Sequence, residues 1–192
     1  MDISGSMGYD KMASANQGIN LDIENMKSQE NAEFFCTSWT FNHSVRLRSS
    51  MVPAEKAEKS QYSSGGSTAM LDAIGQALGD VQSRSTEVDK TLVKIFTDGE
   101  ENASRIWSWS QIAKLIKNVE KEYNTTVTFV ATEHDMKAIV RNLNLDESNT
   151  LVHDNTAQGI TKAYQETMSA TTNYISRSLA GEDVSTGFYT KE

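Results

Sequence analysis

The feature that most constrains the fold is an alternation of short apolar runs with longer amphipathic stretches. Residues 92–96 form an apolar run that ends at Thr97-Asp98-Gly99, a pattern typical of a buried strand followed by a turn. Residues 127–131 predict a second buried strand. Strands that alternate with helices imply a mostly parallel sheet covered by helices on both faces. We therefore predict a doubly wound α/β fold.

The helices are predicted from apolar residues that recur at three- and four-residue steps. This spacing predicts helices over 9–28, from Leu71 to Val81, from Trp109 to Tyr123, over 134–143 and over 156–179. Helices of this number and length can cover both faces of one sheet.

The remaining segments predict further strands, a loop and a tail. Residues 32–48 are rich in aromatic and β-branched side chains, which predicts two strands that meet at a turn near Asn42-His43. Residues 49–64 are polar and carry the only proline, which predicts a loop. Residues 150–153 predict a last short strand. We expect one domain over 1–180 and a frayed tail over 181–192.

Composition narrows the class of function. A length of 192 residues suits one domain with its own core. The formal net charge of −8 argues against nucleic acid binding, because no basic patch offsets it. No apolar stretch approaches the length of a membrane span, and no signal peptide is visible. The single cysteine, Cys36, excludes an intramolecular disulfide, so we predict a cytoplasmic protein with no membrane association.

Three segments far apart in the chain offer oxygen ligands for a hard divalent cation. Asp2, Ser4 and Ser6 stand at the start, Thr68 follows a pair of glycines, and Asp98 follows the apolar run. Carboxylates and hydroxyls without a soft ligand suit Mg²⁺ or Mn²⁺ and suit zinc poorly. The sequence therefore offers five candidate metal-site residues.

These segments are expected to converge. Asp98 ends a predicted strand, Thr68 precedes a predicted helix, and Asp2 would end a first strand of which only Met1 remains. In open parallel sheets, ligands bind beyond the carboxyl ends of the strands, at the point where the strand order reverses. All three segments fit that edge.

At these positions the sequence resembles the von Willebrand factor type A (vWA) domain, also called the integrin I-domain fold. Asp2-x-Ser4-x-Ser6 matches that family's metal-ion-dependent adhesion site motif, DxSxS. Residues 66–74 resemble its threonine loop, and residues 97–102 resemble its aspartate loop. Three motifs in the right order are far more specific than one, and the order of helices and strands fits nearly the whole chain.

The resemblance implies that Ser4, Ser6 and Thr68 bind the cation through their hydroxyls. It also implies that Asp2 and Asp98 act largely through water or hydrogen bonds. A cation that few carboxylates touch directly keeps much of its charge, so it can accept an acidic side chain from a partner. Mg²⁺ tolerates retained waters in octahedral oxygen coordination, which suits such an open site. The implied function is a protein-binding module without catalytic residues, whose partner supplies an Asp or Glu.

Other classes of function stay open. Members of this family act in multiprotein assemblies, which allows a structural or assembly subunit beside an ATPase or within a viral particle. A metal-dependent hydrolase is less favoured, because Ser4 stands where a haloacid-dehalogenase phosphatase needs its second aspartate. Ser6 lacks the G-x-S-x-G flanks of a serine nucleophile.

Two alternatives concern single residues. Asp2, Ser4 and Thr68 are also residue types that cap helices, which would explain them without a metal. Trp107 lies off the apolar stripe of its helix, so it is either a core residue or an exposed anchor for a partner.

The sequence departs from the family pattern at its start. The first, central strand of the family supplies several apolar residues before the first aspartate, and here only Met1 precedes Asp2. We expect a truncated sequence, or a strand that comes from elsewhere. Two neighbouring strands would then lose a shared partner for their backbone groups. This predicts a destabilised sheet, a loosened site around Asp2, or strand pairing supplied by a partner.

Overall fold

A computed structural model describes residues 1–30, 32–84 and 90–190 of the protein. Its helices are α1 (Gly8–Lys27), α2 (Met70–Ser83), α3 (Trp109–Glu122), α4 (Glu133–Leu143) and α5 (Ala157–Leu179). Its strands are β1 (Phe35–Phe41), β2 (Val45–Pro53), β3 (Thr91–Phe96), β4 (Thr125–Thr132) and β5 (Thr150–His153). Short 3₁₀ turns lie at Gly5–Met7, Ala54–Lys56 and Glu147–Asn149.

The strands form two sheets that the amino terminus connects. Strands β3, β4 and β5 are parallel in that order, and β1 pairs with β2 in an antiparallel hairpin. Asp2 forms a parallel bridge with Phe41 at the end of β1, and its N–H donates to the Phe96 carbonyl at the end of β3 (2.9 Å). The first motif therefore lies between β1 and β3, beside their carboxyl ends.

Helices cover both faces, as the sequence predicts for a doubly wound α/β fold. On one face α1 packs against α5 around a cluster that includes Met12, Ile160 and Tyr164. Helices α2, α3 and α4 lie on the other face, over a larger core that includes Leu78 and Phe129. Fully burying a side chain of this size contributes about 1.5–3 kcal/mol, so this larger core dominates the stability. Among the described residues, no helix has the length and apolar character needed to cross a membrane.

Strand β2 is longer than predicted. The loop expected over 49–64 is wrong for residues 49–53, which continue β2 as far as Pro53. Ser49 pairs with Ser38 of β1, and their hydroxyl oxygens are 2.7 Å apart. Pairing with a neighbouring strand thus overrides the polar local composition, and Pro53 is tolerated because it is the last residue of the strand.

The segment after α5 packs against the domain. Val184 and Phe188 are buried with Tyr174 and Ile175 of α5. The expectation of a frayed tail is therefore wrong for this segment, while residues 191–192 lie outside the described part. The missed signal is a pair of apolar side chains within a polar stretch, too sparse to show periodicity. The domain boundary at residue 180 stays a prediction.

Candidate metal centre

The three oxygen-bearing segments meet at one edge of the sheet. The hydroxyl oxygens of Ser4 and Ser6 are 2.8 Å apart, and the Ser6 hydroxyl donates to Asp98 Oδ1 (2.6 Å). The Gly5 N–H donates to the Gly66 carbonyl (2.8 Å), which ties the first segment to the loop that carries Thr68. Ser6 and Asp98, which bond directly, are 92 positions apart in the chain, so distant segments form one polar cluster.

Gly99 marks the point where the hydroxyls converge. A Cβ placed on Gly99 would lie 2.9 Å from Ser6 Oγ, 3.2 Å from Thr68 Oγ1 and 3.5 Å from Ser4 Oγ. Three hydroxyls therefore surround a single position that the absence of a side chain at residue 99 leaves open. Ser4 and Thr68 are buried and Ser6 is exposed, so the cluster opens to solvent on the Ser6 side.

Asp2 is fully buried, and the protein itself supplies donors to both of its carboxylate oxygens. Oδ1 accepts the Ser4 N–H (2.7 Å) and Oδ2 accepts the Thr97 hydroxyl (2.7 Å). Burial raises the pKa of Asp2 above its ordinary value of 3.8, and the hydrogen bonds from Thr97 and Ser4 oppose that shift. With both oxygens held, Asp2 is suited to act on a cation through water or hydrogen bonds. The loosening expected around Asp2 stays a prediction.

Asp98 has a partner that the sequence pattern does not reveal. Its Oδ2 forms an ion pair with the ammonium of Lys11 on α1, while its Oδ1 faces Ser6. Lys11 also donates to Oδ1 of Asn155, in the loop between β5 and α5. One turn of α1 thus places a positive charge beside the cluster, a contact that only the tertiary structure creates.

Thr68 is fixed by the aspartate loop. Asn102 Oδ1 accepts the Thr68 N–H (2.9 Å), and the Asn102 N–H donates to the Thr68 carbonyl (3.0 Å). Glu101 accepts the Leu71 N–H in the first turn of α2 (2.8 Å). Glu101 therefore stabilises the start of α2 by accepting a backbone N–H that has no partner within the helix.

Helix capping does not account for Ser4 and Thr68. Ala69 occupies the cap position of α2 without a side-chain hydrogen bond, and Ser4 makes no capping bond to the turn that follows it. The donors at the start of α2 bond instead to Glu101 and to the Ser104 hydroxyl, which accepts the Asp72 N–H (3.0 Å). The hydroxyls of Ser4 and Thr68 are left facing the position beside Gly99.

A second carboxylate shapes the segment beyond the aspartate loop. Asp72 accepts the N–H groups of Arg105, Ile106 and Trp107 at 2.9–3.0 Å. Trp107 packs against the core and over Gly75, where a Cβ would overlap its indole ring. Trp107 is half-buried and Ile106 is 68% exposed, which favours the core role over the anchor role considered for Trp107.

The cluster fits a hard divalent cation. Two neighbouring ligands at about 2.1 Å from an octahedral Mg²⁺ lie about 3.0 Å apart, close to the 2.8 Å between Ser4 Oγ and Ser6 Oγ. Every candidate ligand atom is an oxygen, and the position beside Gly99 faces three of them. The metal roles of Asp2, Ser4, Ser6, Thr68 and Asp98 remain predictions from the sequence that this arrangement supports.

A different cluster lies at the start of α4. Glu100, His134 and Asp135 each offer a ligand atom within 4.8 Å of the others. Glu100 and His134 are exposed and bond to each other (Oε1–Nε2, 2.8 Å), and Asp135 accepts the Thr132 hydroxyl within an ordinary helix cap. Surface pairing and capping account for these contacts, so this cluster is a weaker metal candidate than the hydroxyl cluster.

Comparison of the whole fold decides the architecture. The structure superposes on a von Willebrand factor type A from Catenulispora acidiphila with a TM-score of 0.63, over 88% of this chain and at 16% sequence identity. The fold is that of a vWA domain. This chain spans 40% of the length of that structure. No family model and no curated protein match the sequence.

At this identity the likeness shows the vWA fold alone. It agrees with the fold that the sequence resemblance implies, and the metal-site motif stays a prediction from the sequence. What a site on this fold binds must be argued from the side chains of this chain.

Proposed function

We propose that this vWA domain is a protein-binding module that recognises an acidic side chain of a partner through a bridging Mg²⁺ or Mn²⁺. The observation that carries the proposal is the convergence of Ser4, Ser6 and Thr68 on one position beside Gly99, with the Asp98 and Asp2 carboxylates behind the hydroxyls. The three hydroxyls would hold the cation, and the carboxylates would hold the hydroxyls and bound water. The cation would supply an electrophilic contact for a carboxylate oxygen.

The charges support an acidic partner. Neutral hydroxyls do not cancel a double positive charge, and Asp2 and Asp98 already bond to donors of the protein. A cation held in this way gains from a carboxylate that reaches it from the exposed Ser6 side. The role of structural or assembly subunit is compatible with the same chemistry, since it also requires protein binding.

Hydrolysis has less support. The Ser6 hydroxyl donates to a carboxylate, and within the described residues no histidine hydrogen-bonds to Ser4 or Ser6. A serine nucleophile needs a base oriented toward its hydroxyl, and Asp98 is already paired with Lys11. We therefore propose a binding function rather than an enzymatic one.

The test is direct measurement of cation binding. Isothermal titration with Mn²⁺ and with Mg²⁺ should show one site in the wild-type protein, and Ser6→Ala should lose most of the affinity. Ser49→Ala is the matched control, because it removes one hydroxyl of a similar pair (Ser38–Ser49, 2.7 Å) away from the cluster. A wild-type protein that is folded by circular dichroism but binds neither cation at millimolar concentration would refute the proposal.

A further inference from the structure

We propose that Lys11 tunes this site: its fixed positive charge weakens cation binding and strengthens the hold of the bound cation on a carboxylate. The inference rests on the proposed function and deepens it, because it identifies a residue outside the three motifs that sets the preference for acidic partners. It starts from the ion pair between Lys11 and Asp98.

Lys11 is held in place from two sides. Its ammonium contacts Asp98 Oδ2 and Asn155 Oδ1, and its side chain is 17% exposed. Asn155 stands directly before Thr156, whose hydroxyl caps the start of α5. Because α1 and the loop before α5 both fix the ammonium, its charge stays beside the site.

Cation binding need not break this ion pair. The two oxygens of Asp98 have different partners, since Oδ1 accepts the Ser6 hydroxyl and Oδ2 accepts from Lys11. A Ser6 oxygen bound to a cation can still donate its proton to Oδ1. The ammonium therefore remains next to an occupied site.

A charge count gives the consequence. A divalent cation, Asp2, Asp98 and Lys11 together carry a net charge of about +1, and without Lys11 the sum is about zero. Lys11 thus opposes the arrival of the cation by repulsion and leaves an excess positive charge for an anionic ligand. Glu101 does not change this difference, because its carboxylate is present in both proteins and is held by the Leu71, Ala103 and Ser104 N–H groups.

The expected signature is an opposite change in two affinities. Lys11→Met should bind Mn²⁺ at least about tenfold more tightly than the wild type, since a nearby repulsive charge is gone. The Mn²⁺-loaded variant should bind acetate several-fold more weakly. A purely structural role for Lys11 would weaken both, because a displaced Asp98 would disturb the hydroxyls.

The experiment titrates Mn²⁺ into each protein by electron paramagnetic resonance and then titrates acetate into the loaded protein by water-proton relaxation. Lys11→Arg keeps the charge and should behave like the wild type. Lys27→Met is the matched control, because it removes the same charge from the far end of α1, where Lys27 pairs with Glu24. It should leave both affinities unchanged, and thermal unfolding verifies that each variant is folded.

The outcomes separate this inference from the proposed function. Wild-type binding of Mn²⁺ with tighter binding and weaker acetate affinity in Lys11→Met supports both. Wild-type binding with unchanged or weaker Mn²⁺ affinity in Lys11→Met overturns the role of Lys11 alone, as does an unchanged acetate affinity. Absence of Mn²⁺ binding by the folded wild type overturns both proposals.

Discussion

Replacing Gly99 with alanine should block the cation site while the domain stays folded. The added methyl group would lie 2.9 Å from Ser6 Oγ and 3.2 Å from Thr68 Oγ1, and its three nearest atoms are hydroxyl oxygens of the cluster. The substitution therefore fills the space on which the three hydroxyls converge, and its closest contacts are with those hydroxyls.

The expected loss of cation affinity follows from the steric cost of accommodating the added methyl group. Forcing one extra methyl group into a packed site costs about 1–3 kcal/mol. If that cost falls on the hydroxyls that hold the cation, affinity drops between about fivefold and 150-fold. The loss should be at the upper end, because a cation about 2.1 Å from each oxygen tolerates little displacement of its ligands.

The assay compares Mn²⁺ affinity and thermal stability across three glycine variants. In Gly79→Ala nothing lies within 4 Å of the new Cβ in the interior of α2, so affinity is kept and stability rises by up to about 1 kcal/mol. In Gly75→Ala the methyl overlaps the indole of Trp107, so the domain is strongly destabilised. Gly99→Ala should lose affinity with a small change in melting temperature. Wild-type Mn²⁺ affinity in this variant would refute the placement of the site.

Three further substitutions or modifications test the surrounding structure. Asp72→Ala should lower the free energy of unfolding by about 3 kcal/mol, because three N–H groups lose their acceptor; a change below about 1 kcal/mol in chemical denaturation would contradict this. Phe188→Ala should cost about 3–5 kcal/mol, since its ring is buried beside Tyr174, whereas a dispensable tail would tolerate the change. Burial raises the pKa of the Cys36 thiol, so iodoacetamide at about pH 8 should alkylate Cys36 more slowly in the folded protein than in denaturant. Equal alkylation rates would show that Cys36 is open to solvent.

The sequence predicts which oxygen-bearing side chains lie together at the candidate site, because residue type and proximity to a strand end are local information. Metal binding by these residues stays a prediction. Asp98 lies two residues beyond an apolar run of strand length, which predicts that its carboxylate lies at the edge of the sheet. Thr68 precedes a predicted helix, and Asp2 in the first motif ends a predicted strand, so both also lie at the ends of predicted elements. Residue type and distance from a strand end were enough to bring five oxygen-bearing side chains to one edge.

The supporting contacts could not be predicted, because they join segments whose meeting depends on the packing of whole helices. Glu101 lies 30 residues from Leu71, and nothing in the sequence indicates that it accepts the Leu71 N–H at the start of α2. Phe188 looked like part of a polar tail until α5 supplied a surface for it to cover. Such contacts are set by tertiary geometry and leave no periodic trace in the sequence.

The sequence by itself determined the layered α/β architecture, through apolar runs of strand length and helical spacing, and the hard-oxygen character of the cluster. Only the tertiary structure decided that Lys11 pairs with Asp98, 87 positions away, and that the space beside Gly99 is open to three hydroxyls. The physical reason is the distance along the chain over which each property is determined. Secondary structure and ligand type follow from neighbouring residues, whereas the charge and shape of a site arise where distant segments pack together.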